Sequence, residues 1–219
     1  MAQYDALLKP LTIKGLTLRN RVISTSHAPA YAEDAMPKER YQRYHEEKAR
    51  GGLAMTMFGG SSVVSPECPA TFGQLDVSDD RILPYFKEFS ERVHRQGAAL
   101  MCQLSHMGRR TRWDAGDWLV PVAPSRVREP EHRSFPKEME DWDFRRIIHD
   151  FGQAARRCKE GGLDGVELSF ASAAPGAGLL VAGHQQAHGP VRRQPRQPPA
   201  LQRRDPGGGA RARSAPTTS

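Results

Sequence analysis

The sequence predicts an α/β protein: the first half of a (β/α)8 barrel, with about four βα units, followed by a disordered basic tail. Three observations support this prediction. One unit recurs three times in residues 1–172, a helical stretch with basic residues near its end, then Gly, then a short apolar run. A further apolar run stands near the N-terminus, and the composition changes abruptly near residue 173. Strands that alternate with helices indicate a parallel sheet.

The three helices are indicated by the period of their apolar residues and by their ends. The first is predicted at about 37–50, with Pro37 at a permitted helix start, and the second at about 82–96. The third has the clearest apolar stripe, spaced as one helix face requires: Ile147, Ile148, Phe151, Ala154, Ala155 and Cys158. Glycines follow all three helices after basic residues, as at helix C-termini, where Gly adopts the left-handed conformation.

The four strands are short apolar runs, as expected for strands that are covered on both faces. They are predicted at 22–26, 55–58, 100–104 and 166–170. An open doubly wound sheet and a (β/α)8 barrel both fit this pattern. No Gly-x-Gly-x-x-Gly follows any strand, which disfavours a dinucleotide-binding doubly wound sheet. Polar residues cluster directly after the strands, where barrels carry their sites, and the spacing predicts a barrel that is half built by residue 170.

The net charge of +7 is concentrated in the tail. Residues 173–219 contain seven Pro, seven Gly, seven Arg and one Asp, without Lys, Glu or aromatic residues, so they carry +6 and residues 1–172 are nearly neutral. Such a segment cannot bury enough apolar surface to offset its ordering entropy, which predicts disorder. Its charge attracts phosphate, but it lacks aromatic side chains that stack on bases, which disfavours a nucleic-acid-binding arm.

The sequence also excludes several classes of protein. No apolar run approaches the roughly 18 residues of a membrane-spanning helix, and residues 1–9 lack the apolar stretch of a signal peptide. A cytoplasmic protein without a membrane partner is therefore expected. The three cysteines are odd in number and widely spaced, which predicts buried, inert thiols rather than disulfides or a metal site: Cys68, Cys102 and Cys158.

Four ordered motifs carry a family resemblance: LLKPLTIKGLTLRNRV at 7–22, CQLSHMGRR at 102–110, VAPS at 122–125 and EGGLDGVELS at 160–169. Over residues 5–172 the chain resembles the old yellow enzyme family of flavin oxidoreductases. Within that family it is most similar to the branch of 2,4-dienoyl-CoA reductase and the amine dehydrogenases and demethylases. The resemblance implies a TIM barrel that holds FMN, reduced by NAD(P)H or by an amine substrate. It implies a small-molecule substrate, namely an enone, an enoyl thioester or an N-methylated amine, and STSHAP at 24–29 and GGSS at 59–62 favour the amine branch.

The resemblance also implies a set of cofactor-binding residues at the ends of the first three strands: Thr25, Ser26, His27, Gly60, Gln103 and His106. The first three would lie beside the flavin ring, and Gly60 would let the backbone approach it. The Gln103 amide can both donate and accept at the pyrimidine edge of the flavin, where reduction places negative charge. His106 would orient its loop or the ring, with a purely structural role as the alternative.

Two departures limit what the resemblance implies. Ala28 stands where the covalent-flavin members have Cys, which excludes a cysteinyl-FMN bond there. After the fourth strand the chain has SFAS at 169–172, where the family has His, or Tyr with His, so no catalytic residue is assigned. The later strands of the family barrel, which bind the flavin phosphate, have no counterpart. Weak or absent FMN binding and no turnover are therefore expected of this chain. A non-catalytic half barrel that acts as an interaction module is the alternative, although its exposed strand edges would favour association or aggregation.

The tail has a second interpretation at the level of the gene. Reading the codons behind residues 174–201 one base later permits HLVQDFWSPATNKRTDRYGGSLANRLRF. That string closely resembles what the family carries after its fourth strand, including RTDxYGGSLxNR. Chance compatibility over such a length is improbable because each shifted codon keeps two known bases out of three. The hypothesis is a frameshift near residues 170–174, so that residues 173–219 are out of frame.

Other side chains fit ordinary structural roles. Solvated positions on helices are expected for three histidines: His45, His94 and His149. Helix packing is expected for Tyr41 and Tyr44. Arg109 and Arg110 fit surface salt bridges better than a cofactor role. Either the substrate mouth or the anchoring of a long loop fits the three tryptophans: Trp113, Trp118 and Trp142.

Overall fold

The computed structural model describes residues 4–70, 73–111, 120–129 and 133–169. The predicted disordered tail, Trp113 and Trp118 lie outside these residues. The helices are α1 Asp5–Leu8, α2 Glu39–Arg50, α3 Leu83–Arg95 and α4 Asp141–Glu160. The strands are β1 Leu11–Ile13, β2 Leu16–Leu18, β3 Ile23–Ser24, β4 Met55–Val63, β5 Ala99–Ser105, β6 Val122–Ala123, β7 Lys137–Glu138 and β8 Gly165–Leu168.

The main sheet has four parallel strands in the order β3-β4-β5-β8, which is also their order along the chain. Its register aligns Ile23 with Met55 and Met55 with Ala99 at the strand starts. One helix separates each strand from the next: α2, α3 and α4. Sequential parallel strands joined by single helices are the repeating unit of a (β/α)8 barrel.

The three long helices pack on one face of this sheet. The shared core contains Phe58, Leu100 and Leu104 from the strands and, from the helices, Tyr41, Phe86, Phe89, Val93, Ala154 and Cys158. A doubly wound sheet would carry helices on both faces. Helices on one face instead agree with the half barrel that the sequence predicts.

The opposite face of the sheet is covered at its base by the antiparallel β1–β2 hairpin. Leu18 of the hairpin packs on Met55 and Ala99, the first residues of β4 and β5. Arg19, directly after the hairpin, donates to the carbonyls of Ala49 at 2.5 Å and Gln96 at 2.8 Å. A cation at the C-termini of α2 and α3 is favoured by the exposed carbonyls there, so Arg19 ties both helices to the hairpin.

Local expectations about the elements are largely confirmed. The left-handed residues after the long helices are Gly52, Gly97 and Gly162, with φ of 106°, 70° and 82°. β4 extends to Val63 because its pairing with β5 shifts between Phe58 and Ser62. The three cysteines are free and buried, as predicted, and burial raises the pKa of Cys68 to about 12. Among the described residues, no helix is both long and apolar enough to cross a bilayer.

Candidate functional site

The loop after β3 contains the first three candidate residues. Thr25 and His27 are exposed and Ser26 is half-buried. His27 Nε2 lies 2.8 Å from the hydroxyl of Tyr44 on α2, and the two rings meet edge to face. The ammonium of Lys48 lies 4.2 Å from the centre of the Tyr44 ring. Tyr44 therefore holds the His27 side chain against α2, in addition to the helix packing that the sequence predicts.

A bulge in β4 brings the second loop against the first. Gly59, Gly60 and Ser61 have φ of 109°, 51° and 80°, so three successive residues adopt left-handed conformations. A Cβ on Gly60 would lie 2.2 Å from the carbonyl carbon of His27 and 2.2 Å from the nitrogen of Ala28. Only Gly permits this approach, so Gly60 serves the contact between the two loops.

Gln103, near the end of β5, connects the second loop to β8. Its Oε1 accepts from the backbone N–H of Ser61 at 2.9 Å, and its Nε2 donates to Glu167 Oε1 at 2.6 Å. Gln103 and Glu167 are register partners on neighbouring strands. A primary amide has two N–H groups and two acceptor lone pairs, so these contacts use half of its capacity.

These contacts form one continuous line across the C-terminal ends of all four strands. His27 meets Gly60, Ser61 bonds Gln103, and Gln103 bonds Glu167. The line contains three of the residues that the resemblance implies, His27, Gly60 and Gln103, together with Ser61 and Glu167. It lies at the end of the sheet where barrels carry their chemistry.

His106 has a different environment, because its ring is fully buried. Its Nδ1 accepts from the backbone N–H of Gly108 at 3.1 Å, so the neutral ring carries its proton on Nε2, 3.0 Å from Glu67 Oε1. Arg146 of α4 pairs with the same oxygen at 2.6 Å. Burial raises the pKa of Glu67, but the hydrogen bonds from His106 and Arg146 outweigh it and hold that pKa at about 2. Nδ1 of His106 thus holds its own loop, and Nε2 joins that loop to Glu67, which in turn pairs with Arg146 of α4.

The expectation of a solvated His45 is wrong. Its ring is fully buried, Nδ1 lies 2.7 Å from Thr56 Oγ1, and the ring stacks on Tyr41. Tyr41, His45 and Ala49 follow the i, i+4, i+8 spacing of one helix face, so the apolar stripe of α2 was the available signal. His94 and His149 are exposed, and Tyr41 packs in the core, as predicted.

A cleft of about 510 Å³ lies beside the contacts of His106 with Glu67. It is lined in part by Glu67, Arg146 and Trp142. Trp142 is half exposed, and Lys137 Nζ lies 4.2 Å from the centre of its ring. Arg109 and Arg110 are half-buried. In the described part of the chain, no group of three or more His, Cys, Asp or Glu is arranged to hold a metal ion.

Sequence reasoning missed three residues of this region: Tyr44 as the partner of His27, Glu67 as the partner of His106, and Glu167 as the partner of Gln103. Only Glu167 carried a signal, because a carboxylate in the otherwise apolar strand Gly165–Leu168 needs a polar partner. The other two depend on how distant segments meet.

Comparison with known proteins shows clear relatives. A family model described as NADH:flavin oxidoreductase / NADH oxidase family matches residues 6–173. The chain is 58% identical over 164 residues to a probable N-methylproline demethylase of Rhizobium meliloti (strain 1021), covering 75% of this chain and 24% of that protein. It is 55% identical over 166 residues to a multifunctional alkene reductase/demethylase OYE of Caballeronia cordobensis, covering 76% of this chain and 25% of that protein.

The fold is similar to that of morphinone reductase in complex with tetrahydroNAD. The TM-score is 0.76 at 26% identity, over 83% of this chain and 53% of that chain. The chain therefore spans about a quarter of the length of these two curated relatives and about half of the solved structure. These matches confirm the resemblance and the half barrel that the sequence predicts.

Proposed function

Because the chain belongs to the NADH:flavin oxidoreductase / NADH oxidase family, we propose that it forms the first half of an FMN-dependent oxidoreductase. The observation that carries this proposal is the Gln103 amide. It stands half-buried at the middle of the contacts that join the four strand ends, and both of its ends are fixed. A fixed amide that offers both a donor and an acceptor suits the pyrimidine edge of a flavin.

The described residues fit FMN in three ways. Gln103 offers its second N–H where reduction of the ring places negative charge, and a preorganised donor stabilises that charge. Thr25, Ser26 and His27 lie on the neighbouring loop, which Gly60 holds in place by allowing close approach. His106 acts as a positioning residue for the loop after β5, because both of its ring nitrogens bond within the protein.

Bound FMN supplies hydride transfer, accepting a hydride from one substrate and delivering it to another. The residues of this chain bind and orient the ring. The sheet face opposite the helices excludes water from one side of that ring. Met57 is buried at the inner face, while Met101 packs with the cluster that the β1–β2 hairpin covers. An apolar floor beneath polar strand ends suits a flat ring with one polar edge.

We propose an N-methylated small amine as the substrate. Its N-methyl carbon would lose a hydride to FMN, and water would hydrolyse the resulting iminium ion to formaldehyde and the demethylated amine. The support is the 58% identity to a probable N-methylproline demethylase. Alkene reduction with NAD(P)H as the reductant is the second candidate, favoured by the relative named alkene reductase/demethylase. Both reactions use small molecules and nucleotides of the cytoplasm, where we place the protein.

We propose that a polypeptide of these 219 residues binds FMN weakly and does not catalyse the reaction. The match with morphinone reductase covers 53% of that chain, so the other part of that structure has no counterpart among the matched residues. A half site leaves part of a cofactor in water, and each contact that is lost lowers the affinity.

The test is a titration of the purified chain with FMN, followed by quenching of flavin fluorescence. We expect saturable, weak binding, and for Gln103→Ala a further weakening of about tenfold, the equivalent of one lost hydrogen bond. Gln153→Ala is the matched control, since Gln153 lies on α4 and bonds Arg156, and it should bind as the parent does. Equal affinity in the Gln103→Ala and parent chains would remove Gln103 from the site.

A further inference from the structure

The Gln103 side chain lies between two partners of opposite hydrogen-bonding character. The backbone N–H of Ser61 can only donate, and it meets Oε1 at 2.9 Å. The carboxylate of Glu167 can only accept, and it meets Nε2 at 2.6 Å. We propose that Glu167 is a positioning residue that fixes the orientation of the Gln103 amide for the flavin. This inference rests on the proposed function.

The two ends of a glutamine amide are nearly equal in shape, so its orientation is decided by its partners. If the amide of Gln103 turned by half a rotation, Nε2 would face the Ser61 N–H and Oε1 would face the Glu167 carboxylate. Two donors would then meet at one end and two acceptors at the other. Both contacts would become repulsive, so the observed orientation is strongly preferred.

The position of Glu167 on the strand explains how it reaches Gln103. The two residues are register partners on the parallel strands β5 and β8, so their side chains project from the same face of the sheet. Glu167 is half-buried in a strand whose other residues are Gly165, Val166 and Leu168. A carboxylate there costs free energy of desolvation unless a donor compensates it.

No cation compensates that charge within the described part of the chain. The ion pairs there involve other carboxylates, such as Glu67 with Arg146 and Asp80 with Arg157. Glu167 instead receives a charge-assisted hydrogen bond from Gln103, which is shorter and stronger than a bond between neutral groups. The charge of Glu167 therefore stabilises one orientation of the Gln103 amide.

The consequence is a fixed order of hydrogen-bonding groups. The second N–H of Gln103 is presented on the Glu167 side and the second lone pair on the Ser61 side. The pyrimidine edge of a flavin alternates carbonyl oxygens with an imide N–H, so it recognises such an order. Among the described residues, loss of Glu167 leaves Ser61 as the only group that selects the orientation.

The first experiment needs no flavin. In the ¹⁵N-labelled chain, the Gln103 side-chain amide signal is identified by its absence in Gln103→Glu. For Glu167→Ala we expect that signal to shift and its protons to exchange with water about tenfold faster, as follows from the loss of one hydrogen bond. Glu167→Gln keeps the shape and one acceptor, so its effect should be smaller, about threefold. Glu160→Gln, which alters an exposed ion pair with Arg156, is the matched control.

The second experiment repeats the FMN titration with the same variants. We expect the dissociation constant to rise about threefold for Glu167→Gln and about tenfold for Glu167→Ala, without change for Glu160→Gln. Unchanged thermal unfolding midpoints of Glu167→Gln and the parent show that folding is intact.

The two experiments separate this inference from the proposed function. If the Gln103 amide signal is the same in both Glu167 variants as in the parent, the positioning role is refuted, whether or not the chain binds FMN. If the Gln103 signal changes in the Glu167 variants but the parent chain does not bind FMN, the positioning role is supported and flavin binding by this chain is refuted. If the Gln103 signal changes in the Glu167 variants while their FMN affinity equals that of the parent, the orientation of the Gln103 amide does not determine FMN binding.

Discussion

His45 shows how a single side chain couples the helical core to pH. Its Nδ1 is bonded to Thr56, and its Nε2 is buried without a hydrogen-bond partner among the described residues. Burial, together with the charges of Lys48 and His27, lowers the pKa of His45 to about 3. The folded protein therefore keeps this ring neutral over a range of pH in which the unfolded chain protonates it.

The sign of the resulting pH dependence follows from proton binding. The unfolded His45 has a pKa near 6.5, so below that pH the unfolded state binds a proton that the folded state excludes. We expect the free energy of unfolding to fall by up to about 1.4 kcal/mol for each pH unit below 6.5, with the loss ending near the folded pKa of about 3.

Urea denaturation at several pH values above 4.5 measures this slope before Glu67 begins to contribute. The pKa of Glu67 is lowered from 4.5, so its stabilisation is lost only as the pH falls below that value. His45→Gln should flatten the slope, whereas His149→Gln, at an exposed position, should leave it unchanged. A parent protein without a slope in this range would contradict a neutral, buried His45.

At the scale of the elements, the strand-end loops are held by contacts with one another. The bulge that ends the regular part of β4 turns Gly59, Gly60 and Ser61 towards the loop after β3 and towards Gln103. Bulges commonly occur beside functional sites because they redirect a strand end. Here the bulge places the Ser61 N–H where it fixes Gln103, so the shape of one loop determines the orientation of a side chain on the next strand.

Gly60→Ala tests this dependence. At φ of 51° an added Cβ costs about 1–2 kcal/mol of backbone strain, and this one would also overlap the backbone of His27 and Ala28. We expect the loop after β3 to move and FMN affinity to fall by at least about tenfold, because more than one contact is displaced. The ¹H–¹⁵N chemical shifts of the loop after β3 and the FMN titration measure the two effects.

Gly52→Ala is the matched control for backbone strain. Gly52 has φ of 106° and no heavy atom within 4 Å of an added Cβ, so it loses conformational freedom without a steric overlap. It should lower stability but leave FMN affinity unchanged. Equal affinity of the Gly60→Ala and Gly52→Ala chains would show that the loop contact does not shape the site.

At the scale of the whole molecule, the sequence predicts what local chemistry determines. The ends of α2 and α3 follow from basic residues and glycines, and the structure places both within two residues of the predicted bounds. Contacts between distant segments were not predictable. Glu167 and Gln103 are 64 residues apart, and their bond depends on a strand register that no local pattern specifies. His45 is buried because it lies on the apolar stripe of α2, and the residue type alone does not distinguish it from a solvated histidine.

The whole chain also contains a discontinuity between its two parts. The family match ends at residue 173, inside the interval in which the sequence places the frameshift. Residues 173–219 carry +6, whereas the preceding residues are nearly neutral and match relatives at up to 58% identity. A shift of one base remains our hypothesis for both the end of the match and the change in composition, because reading out of frame would alter every residue downstream and none upstream.

The encoding DNA decides whether residues 174–201 are out of frame. If residues 174–201 are out of frame, the shifted codon that spans Leu180 and Val181 must encode Trp, so the Leu180 codon must end in G. The polypeptide made after a one-base correction should bind FMN far more tightly than the 219-residue chain, by at least about a hundredfold, because the rest of the barrel adds contacts to the same ligand. If the substrate class proposed above is right, it should release one formaldehyde from N-methylproline for each FMN that is reduced, and proline serves as the control that lacks the methyl group. A Leu180 codon that ends in another base would refute the proposed shifted string, and residues 173–219 would then have to be explained as a tail encoded in frame.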